Sequence, residues 1–331
     1  MGKIDFVIMW VDGNDPDWQK QKQEYQPQRG TDSGSNRYRD WDNLQYWFRG
    51  VEKFAPWVNR IFFVTWGHVP QWLNTQHPKL CITNHKDFIP DKYLPTFNAN
   101  PIELNLHRIK ALSEQFVFFN DDMFLIRPVK EEDYFVKNIP RDCVIESAVM
   151  QEDYSNPFGH MLLNDAALIN MHFDKKEVIR QQFWKWFSPV YGINMIRNML
   201  MYPYHKFASF KFMHLPNAFL KTTFEQVWKA EPDILDQVCC NKFRSVYDIN
   251  QYIMKYWQYV TGQFVPQKLA MGKMYLAGYD TDEMLKALRM QKYKMLCIND
   301  DGVEDNNFYS IKKQVKDSFE AILPDKSSYE I

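Results

Sequence analysis

The sequence predicts an α/β protein in which helices cover both faces of a mainly parallel sheet. Short apolar runs of strand length alternate with amphipathic helical segments. Clusters of Asp, Asn and Gly follow several of these runs, as expected where parallel strands end in loops. A third observation concerns the middle of the chain: residues 178–224 contain a dozen aromatic residues and no Asp or Glu. We expect this stretch to form a separate, mainly helical lobe.

The first strand is predicted at residues 4–10, where an apolar run is closed by turn-forming residues up to Pro16. Asp40 is a candidate cap for a helix whose apolar residues follow the i, i+3, i+4, i+7 spacing up to Phe54. Asn100 and Pro101 predict the start of another helix, as N-cap and first residue. Further strands are expected at 60–65, 79–83, 116–119 and 294–298, and a final amphipathic helix at 308–322.

These elements divide the chain into two parts. We predict that residues 1–140 and 270–331 form the α/β core and that residues 141–269 form an inserted, mainly helical lobe. Proline breaks the acid-free stretch into short pieces, which favours short helices over long ones.

Charge and composition exclude several classes of protein. The 331 residues carry 40 Lys and Arg against 41 Asp and Glu, so a nucleic-acid-coating basic protein is not expected. The apolar runs are too short for a transmembrane helix, and the N-terminal residues lack the pattern of a secretory signal. Five cysteines without a Cys-x-x-Cys pair indicate reduced thiols. We therefore expect a cytoplasmic protein.

Two Asn-Asp-Asp segments, at residues 120–122 and 299–301, follow predicted strands. Such carboxylates suit a magnesium ion that bridges a diphosphate, and Asp121, Asp122 and Asp300 are the candidate ligands. A solvated turn explains each segment equally simply, because Asp and Asn are common in turns. The sequence contains no phosphate-binding glycine loop, dinucleotide fingerprint, zincin motif or serine-hydrolase motif.

Three basic residues remain without a role on spacing alone. His107 would share a helical face with Glu103 if one helix continued through both, although a helical histidine is usually structural. His214 and Arg244 lie within and just beyond the acid-free stretch.

The order of motifs along the chain resembles that of the Stealth family, the sugar-1-phosphate transferases of capsular polysaccharide synthesis. Residues 4–16 (IDFVIMWVDGNDP) resemble the first conserved block, and segments between 44 and 122, ending in FFNDD, resemble the second. HLP at 214–216 with FRS at 243–245 resembles the third block, although residues 199–213 have no counterpart in it. CIND at 297–300 and LPDKSSYE at 323–330 resemble the fourth.

The resemblance implies a nucleotide-sugar transferase (GT-A-like) core that uses a UDP-hexose or UDP-N-acetylhexosamine donor, with Mg²⁺ or Mn²⁺ as cofactor. A glycan hydroxyl would attack the phosphorus next to the sugar and release UMP. Catalytic roles are expected for His214 as the base, with His107 in reserve, and for Arg244 and Asp122 at the phosphate. The donor-binding residues implied by similarity are Trp10, Asp12, Gly13, Arg108 and Asn299.

Two alternatives stay open. One is a metal-dependent glycosyltransferase, in which attack falls on the sugar carbon and UDP is released; the other is a non-catalytic glycan-binding protein. The acceptor is expected to be a glycan, either free or lipid-linked. The basic, aromatic lobe would suit contact with the inner face of an anionic membrane, and an aromatic core with a solvated basic rim explains it as well.

Overall fold

The protein is described by a computed structural model that covers residues 2–25, 39–151 and 153–331. In chain order, the strands are β1 (Ile4–Met9), β2 (Ile61–Thr65), β3 (Leu80–Asn84), β4 (Gln115–Phe119), β5 (Met123–Leu125), β6 (Phe135–Val136), β7 (Ile139–Asp142), β8 (Asn217–Leu220), β9 (Val265–Pro266), β10 (Gly272–Leu276) and β11 (Met295–Asn299). The helices are α1 (Pro16–Tyr25), α2 (Leu44–Phe54), α3 (Ala99–Leu104), α4 (Pro157–His172), α5 (Lys175–Gln181), α6 (Phe183–Trp186), α7 (Met195–Met201), α8 (Lys221–Ala230), α9 (Pro232–Cys239), α10 (Tyr252–Val260), α11 (Thr281–Arg289) and α12 (Asp305–Ile322).

The central sheet has the strand order β3-β2-β1-β4-β8. The first four strands are parallel, and β8 runs antiparallel to β4 at the edge. The strands are apolar on both faces because both faces are covered, which confirms the prediction of a mainly parallel α/β sheet. The order reverses at β1, since β2 and β4 lie on its opposite sides. In open parallel sheets such a point is where ligands bind.

Two apolar clusters cover the two faces of the sheet. The first lies between the sheet, α2, α11 and α12, where the stacked rings of Tyr46 and Phe319 are 5.0 Å apart. Gly50 lets α2 approach β5 closely, because a Cβ there would lie 2.7 Å from the Leu125 carbonyl oxygen. The second cluster lies between the sheet and helices α4 to α10. The lobe helices therefore pack directly on the sheet.

The predicted lobe range contributes one strand to the core. β8 belongs to residues 141–269, yet it pairs with β4 along the central sheet. The pairing of β8 with β4 could not be deduced from periodicity, since the two strands are about a hundred residues apart in the sequence. Within the described ranges, no helix combines the length and apolarity that a bilayer crossing requires.

The predicted helix after Asn100 is shorter than its apolar spacing suggested. Asn98, not Asn100, is the N-cap of α3, and its side chain accepts a hydrogen bond from the backbone N–H of Asn100. The helix ends at Leu104, because the side chain of Asn105 turns back to donate to the Pro101 carbonyl at 2.7 Å. The following 3₁₀ turn places the next residues on different faces.

Candidate active site

The loops after β1 and β4 lie side by side. Ile8 pairs with Phe119 in the register of the two strands, so both chains leave the sheet at the same edge. Residues 10–13 and residues 120–122 therefore meet at the point where the strand order reverses. This is the position where a nucleotide ligand is expected in an open α/β sheet.

A second pairing brings the two Asn-Asp-Asp segments together. β5 runs antiparallel to β11, with Met123 opposite Cys297, and the backbone N–H of Ile298 donates to the Asp122 carbonyl at 2.9 Å. Beyond β11, Gly302 has a φ of +71°, and a Cβ on Gly278 would lie 2.0 Å from the Gly302 carbonyl. These two glycines allow the second segment to cross the β10 exit closely and reach the first.

The carboxylate of Asp122 is the centre of a compact cluster. Its Oδ2 lies 3.0 Å from Nε2 of His214 and accepts a hydrogen bond from Sγ of Cys297 at 3.2 Å. The ring of Phe212 stacks on the His214 imidazole at 5.4 Å between centroids. His214 itself has a φ of 43°, in the left-handed region. We call Asp122, His214 and Cys297 the Asp122 cluster.

Burial and charge act in opposite directions on this pair. Burial alone would lower the pKa of His214, but the Asp122 carboxylate and its hydrogen bond outweigh burial and raise it. Burial alone would raise the pKa of Asp122, but His214 and the hydrogen bonds from Cys297 and Asn299 lower it. The protonated form of His214 is therefore stabilised by a carboxylate that stays ionised.

Asp121 is more exposed than Asp122, and its pKa is shifted in the opposite direction. Desolvation, together with the neighbouring carboxylate of Asp122, raises the pKa of Asp121 to about 7. Two adjacent carboxylates in one site repel each other, so the second loses its proton less readily. A cation bound between them would remove this repulsion.

Arg244 lies within electrostatic reach of His214 and of the buried Glu103. Desolvation raises the pKa of Glu103, and Arg244 and His214 oppose that rise. The effect of Arg244 on both groups indicates that its permanent positive charge lies near the Asp122 cluster.

A buried carboxylate that the sequence analysis missed holds the Arg244 loop. Asp248 accepts hydrogen bonds from the side chains of Asn98, Asn100 and Asn241 at 2.7 to 2.9 Å, and from the Ser245 backbone at 3.1 Å. The only local signal is the pair of asparagines around Ala99, of which Asn100 predicts a helix start on spacing alone.

An aromatic cluster joins the Arg244 loop to the β1 exit. The ring of Trp18 in α1 packs against that of Phe97, with 5.8 Å between the ring centroids. The ring of Phe97 stacks on that of Phe243, with 5.4 Å between centroids. Because Phe243 directly precedes Arg244, this packing fixes the arginine relative to the loop that follows β1.

The predicted donor residues Trp10, Asp12 and Gly13 lie in that loop. The backbone N–H of Asp12 donates to Nε2 of His68 at 2.7 Å, and Oδ1 of Asp12 accepts from the backbone of Asn14. The indole of Trp10 meets the His68 imidazole edge-on at 5.3 Å. His68 thereby shapes the loop, a role that its position in the sequence did not indicate.

Two buried acceptor oxygens indicate that this site is suited to a hard cation. Oδ1 of Asp122 and Oδ1 of Asn120 are buried and have no hydrogen-bond partner among the described residues. Unpaired buried oxygens of this kind suit Mg²⁺, which prefers carboxylate and carbonyl ligands. The thiol and imidazole of the Asp122 cluster would suit a softer ion, but their short contacts are already explained by hydrogen bonds to Oδ2.

The structure does not leave Asp300 free to bind a metal. Its Oδ2 accepts from Nε1 of Trp41 at 3.1 Å and lies 3.2 Å from Nε of Arg39, while Oδ1 lies 3.3 Å from the same guanidinium. Asp300 thus anchors the segment before α2 against the second Asn-Asp-Asp loop. Asn299 remains at the site, where its side chain helps to lower the pKa of Asp122.

The structure places His107 and Arg108 away from the Asp122 cluster. The helix that would have aligned His107 with Glu103 ends at Leu104, and the His107 ring packs on Trp228 and its neighbours in α8. Burial, with the nearby cations, lowers the pKa of His107 to about 3. The Arg108 guanidinium lies over the Trp228 ring at 4.7 Å. Since α8 begins where β4 begins, both residues lie toward the opposite edge of the sheet.

A cavity of about 370 Å³ adjoins the cluster on the lobe side. Its lining includes Lys211, Phe158 and Phe212, and Phe212 is the ring that stacks on His214. Aromatic faces next to a cation and polar backbone are suited to a polar, ring-shaped ligand.

Comparison with known proteins adds the evolutionary context. The profile of Stealth protein conserved region 1 matches residues 2–30, and that of conserved region 2 matches residues 37–142. Solved structures are matched only distantly. The galactosyltransferase LgtC, solved with donor and acceptor sugar analogs, has a TM-score of 0.40 at 8% identity, covering 95% of each chain. The bifunctional glycosyltransferase WbbM has a TM-score of 0.39 at 10% identity, covering 97% of this chain and 52% of that one.

Sequence relatives are much closer. The chain is 41% identical to the capsular polysaccharide phosphotransferase WcwK of Streptococcus pneumoniae, covering all of this chain and 98% of that protein. It is 40% identical to the receptor polysaccharide phosphotransferase WefC of Streptococcus gordonii, covering 99% of each. It is 37% identical to the exopolysaccharide phosphotransferase cps2G of Lactiplantibacillus plantarum, covering 99% of this chain and 96% of that one. With both conserved-region profiles and full-length relatives of this similarity, the chain belongs to the Stealth protein family.

Proposed function

We propose that the protein transfers a sugar-1-phosphate from a UDP-hexose or UDP-N-acetylhexosamine to a glycan hydroxyl and releases UMP. The relatives named as polysaccharide phosphotransferases support transfer of a phosphate-containing group to a polysaccharide. The observation that carries the proposal is the pairing of His214 with Asp122 beside Arg244, at the reversal point of the sheet.

In this reaction, the acceptor oxygen forms a bond to the phosphorus that carries the sugar. The bond from that phosphorus to the oxygen bridging it to UMP breaks, and UMP leaves with the electron pair. Because Nε2 of His214 faces Asp122, its other ring nitrogen, Nδ1, is the one that accepts the hydroxyl proton. The raised pKa of His214 means that Asp122 stabilises the imidazolium that results.

Arg244 supplies charge at the phosphate. Phosphoryl transfer depends mainly on positioning and on neutralising the charge of the equatorial oxygens. A guanidinium suits this task because its planar fork donates two parallel hydrogen bonds. The Asp248 network holds the loop that carries it.

A divalent cation, Mg²⁺ or Mn²⁺, would be held by Asp121 and Asp122 with the amide oxygen of Asn120. It would supply charge neutralisation at the diphosphate. The unpaired oxygens of Asp122 and Asn120 support this assignment. Asp300 would act indirectly, by holding the Asn299 loop in place.

The donor and acceptor would enter from different sides. Trp10, Asp12 and Gly13 in the β1 loop would line the nucleotide, while the cavity beside Phe212 would receive the glycan. Arg108, which the resemblance implied at the diphosphate, packs on Trp228 and has no part in this arrangement.

The decisive experiment identifies the nucleotide that is released. Purified protein is incubated with Mg²⁺, a panel of UDP-hexoses and UDP-N-acetylhexosamines, and an octyl glycoside as acceptor. We expect UMP in the nucleotide fraction and a phosphodiester signal in the ³¹P NMR spectrum of the glycoside. Release of UDP would instead identify a glycosyltransferase. Binding of the glycoside without any nucleotide release would identify a glycan-binding protein.

A further inference from the structure

The outer surface of the lobe carries an apolar patch that has no covering element within the described residues. Six side chains define this lobe patch, and all are exposed: Trp184, Ile193, Ile196, Met199, Leu200 and Tyr204. Trp184 is 80% exposed, Ile193 78% and Leu200 68%. Single exposed apolar residues are common on protein surfaces, but a group concentrated in one short segment of the chain indicates an interaction surface.

The helix α7 is oriented with its apolar side toward solvent. Ile196, Met199 and Leu200 have the i, i+3, i+4 spacing of one helical face, and that face is exposed. The polar Asn198 is buried instead, where its side chain donates to the carbonyls of Trp186 and Val144 at 2.7 and 2.9 Å. A surface helix normally has the reverse arrangement.

Buried contacts fix this orientation. Oδ1 of Asn198 accepts a hydrogen bond from the backbone of Glu146 at 2.7 Å. The buried ammonium of Lys175 donates to the Met201 carbonyl at the end of α7, also at 2.7 Å. The exposed apolar face is thus held in place from beneath.

Every charged side chain in the segment that carries the patch, residues 178–224, is basic. Two of these basic residues, Arg180 and Arg197, are exposed. The nearest acidic side chain on the preceding helix is Glu177, 3.9 Å from Arg180. A surface that combines Trp, Tyr and aliphatic side chains with Arg complements an anionic lipid surface in both polarity and charge.

We propose that the lobe patch is a peripheral docking surface for an anionic bilayer. The aliphatic side chains and Trp184 enter the boundary between headgroups and acyl chains, and the arginines contact lipid phosphates. This inference does not depend on the reaction proposed above, because vesicle binding is measured without donor or acceptor.

The test is flotation of the full chain with vesicles of phosphatidylglycerol and phosphatidylcholine, compared with phosphatidylcholine alone. We expect binding to the anionic vesicles, which is reduced about tenfold or more in Trp184→Ser/Leu200→Ser, since two inserted side chains are lost. The matched control, Met290→Ser/Tyr309→Ser, removes one aliphatic and one aromatic exposed residue elsewhere and should bind like the wild type. Arg197→Glu should reduce binding about tenfold and make it less sensitive to salt, because an attractive charge contact is lost.

Two results would overturn the proposal. One is equal flotation of the patch variant and the control; the other is binding that does not distinguish anionic from neutral vesicles. Sedimentation velocity without lipid measures the oligomeric state of the wild type and of the patch variant. If the wild type were a dimer and the patch variant a monomer, the patch would be assigned to self-association instead of membrane docking. Melting temperatures of all variants establish that they are folded, which is expected because the substituted side chains are exposed.

Discussion

Two ion pairs in this molecule have similar distances between their charged atoms but differ in burial and in hydrogen bonding. Lys175 and Glu146 lie 2.6 Å apart and are almost completely buried, and the Lys175 ammonium also donates to two backbone carbonyls. His214 and Asp122 lie 3.0 Å apart, partly exposed at the edge of the sheet, and Oδ1 of Asp122 has no hydrogen-bond partner in the part of the chain that the structure describes.

The two pairs differ in the hydrogen bonds that their buried polar atoms make. The Lys175 ammonium uses its three donors on oxygens of the protein itself, so this pair is suited to holding elements together. The Asp122 pair keeps one buried oxygen unpaired, and such an atom costs stability unless something binds it. The incomplete pair is therefore the one suited to bind a ligand, and substitutions should separate the two pairs by their effects.

The largest effect is expected for Asp122→Asn. The substitution keeps the shape but removes the charge that would stabilise the His214 imidazolium and the proposed cation, so the proposed release of UMP should fall about 10³-fold or more. The melting temperature should change little. Asp317→Asn on α12 is the matched surface control. If Asp122→Asn retained most of the activity, the role of this carboxylate in the reaction would be rejected.

Lys175→Met should have the opposite effects to Asp122→Asn: a loss of stability with little change in activity. It leaves Glu146 buried without its cation, which typically costs about 3 to 5 kcal/mol of the free energy of unfolding. Chemical denaturation measures this cost, and the activity of the fraction that remains folded should be close to the wild-type value. The double variant Lys175→Met/Glu146→Gln should recover part of the stability. A double variant as unstable as the single one would contradict this account.

Arg244→Lys keeps the charge and loses the planar fork. We expect UMP release to fall about 10²-fold, with little change in stability, because a lysine cannot donate two parallel hydrogen bonds to phosphate. Steady-state kinetics over donor concentration measures the effect. An unchanged rate would show that only the charge of Arg244 matters.

The smallest effect concerns a third kind of buried carboxyl. Asp165 is fully buried and has no cation partner, so burial raises its pKa well above the usual value. Its protonated form thus stabilises the fold at acidic pH, and this contribution is lost as the pH rises through the raised pKa. Asp165→Asn should therefore gain stability relative to the wild type as the pH rises from acidic to neutral values. Equal pH dependence of the two proteins in denaturation curves would contradict this.

Local features of the site could be predicted from the sequence. The apolar run before Asp12 and the run before Asn120 are closed by turn residues, so strands with acidic exits follow from periodicity alone. The resemblance placed His214 and Arg244 at the same site, and the structure brings them together.

The remaining features depend on contacts between distant segments. Arg39 is 261 residues from Asp300, and Asn98 is 150 residues from Asp248, so no local pattern reports either pair. His107 shows the reverse error, because its spacing from Glu103 was compatible with a helix that Asn105 in fact terminates. Patterns along the chain predict elements, whereas the partners of a polar side chain depend on the tertiary structure.

The backbone of His214 adds a consequence for protein engineering. A histidine at a φ of 43° is less stable in that conformation than glycine by about 1 kcal/mol. Replacing His214 by glycine would relieve this strain, but it would leave the Asp122 carboxylate without its cation and would remove the proposed proton acceptor. Engineering this loop for heat resistance should therefore keep His214 and its left-handed backbone.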